Sequence, residues 1–372
     1  MKIIILGPSY PFRGGIAAFN DRLAIALKED GHDVQIITFS LQYPSFLFPG
    51  KTQYSEGPAP SDIKIEESVN SINPLNWIKI GSKIKKMNAD LVISRFWLPF
   101  MGPCLGTILR SARKNGKTKV ISIIDNIIPH ESRPGDKGFS KYFLKANDAF
   151  ITMTDSVHND LLKFDNKKER IVTPHPLYDH YGGLIDKKEA IKQLNLDPNN
   201  KYMLFFGLIR DYKGLDLLLE AMPSIPKDIH LIIAGEYYSN KETYLKQIED
   251  LNLKDRVHQS EGFIPDDKVN LYFSACDIVV QPYKTATQSG VTQIAYHFEK
   301  PMIVTDVGGL AEMCPNGQVG FVSQANSNDI SIKVSEFYSD DINRFSEGIK
   351  VKKKEYEWPT FVKRLIGLFD NI

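Results

Sequence analysis

The sequence predicts an α/β fold of two domains, each built on a parallel sheet, and three observations carry that reading. The chain has 372 residues, beyond the size at which one hydrophobic core usually stops growing, so two domains are the default. Short runs of Ile, Val and Leu, such as Ile3-Ile4-Ile5-Leu6 and Ile278-Val279-Val280, read as strands buried on both faces. Helix-periodic segments alternate with these runs, which is the rhythm of βαβ units.

In the first half, Lys2 to Leu6 is the first strand and residues 7–15, Gly-Pro-Ser-Tyr-Pro-Phe-Arg-Gly-Gly, form a glycine-bearing loop. Ile16, Phe19, Leu23 and Leu27 then recur at helical spacing, and Gly31-His32 ends that helix before a second strand begins at Val34. The unit has neither GxGxxG nor a GK[ST] phosphate loop, which argues against a dinucleotide dehydrogenase and a P-loop ATPase. Ser40 to Pro58, rich in Pro, Tyr and Phe, is hard to place in a core. Trp77 to Met87 reads as a helix whose Lys79, Lys83, Lys85 and Lys86 make, in the first instance, a solvated face. Leu91 to Ile93 and Lys119 to Ile124 are strands; Arg95 follows the first, and Asp125 and His130 follow the second. On its own Asp125 reads equally as a cap or turn residue, and His130 as a loop histidine. Ala149 to Met153 is a strand, Thr154 caps a helix, Arg170 to Val172 is a short strand, and the irregular stretch from Leu177 to Asp186 is the interdomain linker.

Lys201 to Phe206 opens the second domain, and residues 207–214, Gly-Leu-Ile-Arg-Asp-Tyr-Lys-Gly, lead into a helix at Leu215. Arg210 and Lys213 on such a loop suit a diphosphate: the guanidinium can grip oxygens bidentately and the ammonium acts as a point charge. Strands at His230 to Ala234 and Val257 to Ser260 follow, then Gly262-Phe263-Ile264-Pro265 and a helix from Asp266 to Cys276. After Ile278 to Val280, the polar loop 285–290, Thr-Ala-Thr-Gln-Ser-Gly, enters a helix that ends near Phe298. Small and hydroxyl residues at a helix start, beyond the carboxyl end of a strand, are where backbone N–H groups receive a phosphate and where open α/β sheets bind ligands. Met302 to Val304 is a strand, Gly308-Gly309 a tight turn, and Thr360 to Phe369 an amphipathic helix.

Composition narrows the function classes. A formal net charge of +1 gives no strong field for nucleic acid. Cys104, Cys276 and Cys314 are scattered without CxxC spacing, which points to a reducing compartment and no zinc site. The first residues read as a strand rather than a signal peptide. No run of about 18 apolar residues is present to span a membrane.

The stretch from Pro282 to Glu312 resembles the donor-binding signature of nucleotide-sugar glycosyltransferases of the GT-B architecture, the retaining family 4 enzymes in particular. That signature is a Glu, seven residues, a second Glu, and a small-residue helix ending in a Pro before a strand. Pro301, the strand after it, Gly308-Gly309 and Glu312 match it, whereas Thr285 and Gln293 stand where the glutamates belong. The carboxylates that usually contact sugar and ribose hydroxyls are therefore missing, although the Gln293 amide can still hydrogen-bond a ribose diol. The 207–214 loop is similar to the family's Gly-x-x-Arg and Lys-Gly element, and the segment around Ile264 to its nucleobase lining. The Gly14-Gly15 loop is similar to the one that lies near donor phosphates and acceptor. The resemblance spans nearly the whole chain and is weakest between about residues 40 and 115.

What the resemblance implies can be stated residue by residue. The fold would be GT-B, two Rossmann-like domains facing across a cleft: residues 1–180 with the C-terminal helix 356–372 for the acceptor, and residues 181–355 for the donor. The reaction would move a sugar from a UDP- or GDP-linked donor to a hydroxyl of a glycan or lipid-linked acceptor. It would proceed with retention and without metal or further cofactor, in cell-surface polysaccharide or glycoconjugate synthesis. Arg210, Lys213 and Asp125 would be catalytic. Gly14, Gly15, Gly207, Ile264, Thr287, Gln288, Ser289, Gly290, Val291 and Gln293 would meet the donor, and Arg95 and His130 the acceptor. The expected location is cytoplasmic, with peripheral contact at the inner face of the membrane. Two rivals stay open. A sugar-nucleotide 2-epimerase shares the architecture but needs acidic residues with no clear counterpart here. A non-catalytic nucleotide-sugar-binding partner of another transferase would explain the lost glutamates, and donor hydrolysis would tell it from an enzyme.

Overall fold

Two parallel sheets organise the chain, one in each of two units of the computed structural model. The structure describes residues 1–44, 54, 60, 62–128, 134–238, 241–286, 289–341 and 343–372. Unit 1 comprises Met1–His175 with Trp358–Ile372, and unit 2 comprises Pro176–Glu357; the sequence had placed the divides at 180/181 and 355/356. The stretch 173–186 carries no helix or strand.

Among the described residues, unit 1 holds seven strands: β1 (Lys2–Leu6), β2 (Asp33–Leu41), β3 (Lys64–Asn70), β4 (Leu91–Phe96), β5 (Lys119–Ile124), β6 (Ala149–Thr152) and β7 (Glu169–Val172). They lie in the order β3-β2-β1-β4-β5-β6-β7, every neighbour parallel. The order reverses between β1 and β4, where Ile3 faces Leu91, and such a switch point opens a crevice at the carboxyl ends of the strands. Fully buried Ile and Val side chains fill both faces. Ile4, Val92 and Val120 pack on one side, and Ile3, Leu91 and Ile121 on the other. The C-terminal helix Trp358–Asp370 completes the second face, with Phe19 5.1 Å from the Trp358 ring and 5.6 Å from Phe361.

Unit 2 holds β8 (Lys201–Phe206), β9 (Ile229–Gly235), β10 (Val257–Glu261), β11 (Ile278–Gln281), β12 (Met302–Thr305) and β13 (Gly320–Ser323). Their order, β10-β9-β8-β11-β12-β13, is again parallel throughout and reverses between β8 and β11. The fold is thus two Rossmann-like α/β domains of the GT-B kind.

Two strands escape the sequence pattern. β3, Lys-Ile-Glu-Glu-Ser-Val-Asn, is an edge strand with mostly half-exposed residues, so it lacks the apolar run that marks an interior strand. β13 is a four-residue edge strand opening on a glycine. β4 also extends past Ile93 to Phe96, which places Arg95 inside the strand. The helix expected from Trp77 begins at Pro74, capped by the Asn73 side chain. All three cysteines are buried and unpaired.

Candidate functional site

The carboxyl end of the second sheet is built by loops that grip one another. The loop after β8 runs beside the loop after β9: Ile209 N–H donates to the Glu236 carbonyl at 2.8 Å and Tyr238 N–H to the Ile209 carbonyl at 3.0 Å. Arg210 leaves this ladder extended, and its guanidinium lies 4.2 Å from the centre of the Tyr238 ring, a cation–π contact that fixes its plane. Its Nε is buried and has no hydrogen-bond partner among the described residues. A single turn, Asp211–Lys213, follows and ends at Gly214, whose φ is +69°. A side chain at Gly214 would put a Cβ 1.9 Å from the Pro282 carbonyl oxygen. The loop after β8 is therefore pressed directly onto the loop after β11, and only glycine fits.

That turn delivers Lys213 to an unusual place. The residue is 8% exposed, and no carboxylate pairs with it among the described residues. Burial, and then the charge of Arg210, push its pKa down to about 8. Its ammonium lies close to Gly207 and 5.7 Å from the centre of the Tyr283 ring. A buried cation with no anion is costly in a stability sense and is the signature of a group placed for a ligand. Two neighbouring cations with unspent donors suit a doubly charged phosphate better than any neutral group.

The helix Gly290–His297 begins beside this turn. Ser289 caps it: its Oγ accepts from Val291 N–H at 3.2 Å and shares a 3.1 Å bond with the Tyr283 hydroxyl. Gly290 is exposed at the helix start and Val291 is buried behind it. Gln293 is 3% exposed, and its Oε1 is buried without a partner among the described residues, so the amide retains an unused acceptor there. Thr285 is exposed, Ile264 is half-buried, and Thr287 and Gln288 lie outside the described residues. Gly207 takes φ +96°, with the Lys213 ammonium alongside.

Unit 1 arranges its candidates differently. Arg95 near the end of β4 and Asp125 just beyond β5 form a two-pronged pair, Nε to Oδ2 at 2.6 Å and Nη2 to Oδ1 at 2.6 Å. Arg95 is 4% exposed, and its guanidinium lies 3.9 Å from the centre of the Phe19 ring. Residues expected to serve separately as acceptor contact and catalyst are thus bonded to each other, and among the described residues the buried Nη1 of Arg95 is left without a partner. Gly14 has φ +114°, Gly14 and Gly15 both face open space, and His130 lies outside the described residues.

Sequence reasoning missed Tyr238, Tyr283, Asp216 and Lys284, which shape the turn around Lys213, and no local motif marks them. It also missed Asp21, whose carboxyl is raised to about 6 by burial and held by the Ser9 hydroxyl beside the first loop.

Comparison with known proteins bears on the fold and on the enzyme class. Residues 186–354 match the family model described as glycosyl transferases group 1. An uncharacterized glycosyltransferase of Methanocaldococcus jannaschii is 24% identical over 378 residues, covering 100% of this chain and 99% of that protein. The lipopolysaccharide core biosynthesis mannosyltransferase LpsB of Rhizobium meliloti is 26% identical over 231 residues, 56% of this chain and 60% of that one. Among solved structures, HepE of Anabaena in complex with UDP superposes with a TM-score of 0.71 at 17% identity, each chain covered in full at 100%. Unit 2 therefore carries a glycosyl transferases group 1 domain, and with it the chain has the enzyme class of a glycosyltransferase.

Proposed function

We propose that the protein transfers a glycosyl group from a UDP- or GDP-linked sugar to a hydroxyl of a glycan or lipid-linked acceptor. The observation that carries this reading is Lys213, buried beside Arg210 with no carboxylate to neutralise it among the described residues. On this reading the diphosphate of the donor takes the place of the missing anion. In the reaction the bond from the anomeric carbon to the diphosphate oxygen breaks and a bond to the acceptor oxygen forms on the same face. The acceptor proton passes to the departing diphosphate. Arg210 and Lys213 stabilise the charge that gathers on that leaving group, and the backbone N–H groups at the start of the helix Gly290–His297 add to it. These side-chain cations supply the charge for which other transferases use a metal, so turnover is expected to survive a chelator. Ser289 and Gly290 hold the helix start, and Gln293 accepts from a ribose hydroxyl.

Unit 1 is assigned the acceptor. The LpsB relative is named for lipopolysaccharide core synthesis, which supports a role in cell-surface glycans; the location that goes with this reading is the cytoplasm, against the membrane's inner face. The helix Pro74–Met87 fits such a contact. Leu75 is 79% exposed, Ile78 is also exposed, and Lys79, Lys83 and Lys86 line a cavity of about 430 Å³ beside them. No helix among the described residues is long and apolar enough to cross a membrane.

Transfer assays with a panel of UDP- and GDP-sugars test the proposal. Arg210→Ala and Lys213→Ala should each lower turnover by about a hundredfold, the scale of one lost charge-stabilising donor, with the fold intact. Near-normal turnover in either variant would overturn the assignment.

A further inference from the structure

One tyrosine touches both halves of the phosphate site of unit 2. Tyr283, in the loop after β11, is buried and packs into the core of that unit. The centre of its ring lies 5.7 Å from the Lys213 ammonium and 6.0 Å from that of Tyr212, which it meets edge-on. Its backbone is fixed as well. The Thr305 hydroxyl donates to the Tyr283 carbonyl at 2.6 Å, and the next N–H, that of Lys284, donates to the Tyr212 carbonyl at 2.7 Å. The Tyr283 hydroxyl reaches the other half, lying 3.1 Å from the Oγ of Ser289, the cap of the helix Gly290–His297. That helix start is close to the cation: the Lys213 ammonium and a Val291 methyl lie 3.1 and 3.7 Å from the place of a Cβ on Gly207.

The direction of the Tyr283–Ser289 bond follows from counting protons. Burial raises the pKa of Tyr283, so the phenol keeps its proton. Among the described residues Ser289 Oγ is the one acceptor that proton can reach, and a buried O–H left unpaired is costly. Tyr283 therefore donates and Ser289 accepts. Ser289 Oγ also accepts from Val291 N–H at 3.2 Å. A hydroxyl has two lone pairs and one proton, and here both lone pairs are taken. The Ser289 proton has no acceptor among the described residues, although the residue is only 6% exposed.

We propose that Tyr283 is a positioning residue that commits the Ser289 hydroxyl to donate to a phosphate oxygen of the sugar donor. The inference rests on the phosphate role given to Arg210 and Lys213 above. A phosphate oxygen at the helix start offers only lone pairs, so a serine lone pair turned towards it would repel it. With the phenol and the Val291 N–H in place, the proton is all that Ser289 has left to offer. Tyr283 thus acts on the donor without touching it, and its ring carries the ammonium on the same support.

The test is calorimetric titration of the full chain with UDP and GDP, with uridine and guanosine as competitors. It compares the wild type with Tyr283→Phe, Ser289→Gly and the double variant. Glycine is a tolerated cap, so Ser289→Gly removes the hydroxyl and leaves the helix start nearly as stable. For the diphosphate that binds, Tyr283→Phe should weaken affinity by about threefold to tenfold and Ser289→Gly by about tenfold, the scale of one hydrogen bond to a charged group. The double variant should lie within about twofold of Ser289→Gly, because the phenol acts through the serine. Nucleoside affinity should not change in any of them. In the wild type, diphosphate affinity should fall as pH rises through about 8, where Lys213 loses its proton. Arg210 is the one charge that acts on Lys213 among the described residues, and Tyr283→Phe keeps the ring, so that midpoint should not move. Wild-type affinity in Tyr283→Phe, additive losses in the double variant, an equal loss for the nucleoside or a shifted midpoint would each overturn the inference alone. A wild-type protein that binds neither diphosphate would overturn the phosphate reading beneath it as well.

Discussion

The carboxyl ends of the two sheets hold similar residues in opposite states. In unit 1, Arg95 is buried and both prongs of its fork are taken by Asp125. In unit 2, Lys213 is equally buried and Arg210 sits beside it, yet neither has a carboxylate among the described residues. A buried pair holds structure in place, since removing one partner leaves a charge without compensation. A buried cation with no partner weakens the fold and is explained by the ligand it awaits. The same residue types therefore read as framework in one unit and as binding machinery in the other, and opposite responses to mutation should distinguish them.

The largest effect is expected in unit 1. Arg95→Met strands the Asp125 carboxylate and should cost roughly 3 kcal/mol of stability, seen as a lower denaturant midpoint. A cost under about 1 kcal/mol, the range of surface pairs, would place the pair outside the framework and break the contrast. In unit 2 the sign should reverse. The pKa of Lys213 is near 8 in the folded chain, below its ordinary 10.5, so the unfolded chain binds more protons between those values. Stability should then rise as pH climbs from about 8 towards 10.5. Lys213→Met removes the charge at any pH and should stabilise the protein by about 1–2 kcal/mol at pH 7 while flattening that rise. A destabilised Lys213→Met variant would mean that the lysine has a partner in the fold after all.

Gln293 sharpens the picture at the helix start. If its unused Oε1 accepts from the ribose, Gln293→Ala should weaken donor binding by roughly 1–2 kcal/mol, and a 2′-deoxy donor should show little further loss. Equal discrimination against the deoxy donor by wild type and variant would remove Gln293 from ribose recognition.

Much of the fold was legible because a parallel sheet covered on both faces demands unbroken apolar strands. Lys119–Ile124 and Ile229–Gly235 carry such runs, and both lie in interior strands. β3 was invisible for the converse reason: an edge strand of Glu, Lys and Ser looks like a loop. At the site, Arg210 and Lys213 were legible from their spacing and from the strand that precedes them. Their surroundings were not. Tyr238 comes from the next strand's loop, and Lys284 from a loop about seventy residues away, so only the folded sheet brings them to the turn. Arg95 and Asp125 were each singled out, but their pairing across β4 and β5 follows from register, which spacing does not reveal.

The central claim is that Arg210 and Lys213, which have no carboxylate partner among the described residues, are placed to receive a diphosphate. The most direct measurement compares the affinities of UDP, UMP and uridine, and of GDP, GMP and guanosine, for the wild type and for a variant combining Arg210→Ala with Lys213→Met. For one of the two series the wild type should gain about tenfold to a hundredfold from the phosphates, the worth of charged hydrogen bonds. The double variant should bind diphosphate and nucleoside almost alike. A phosphate increment that survives in the double variant would contradict the claim and move the anion site elsewhere.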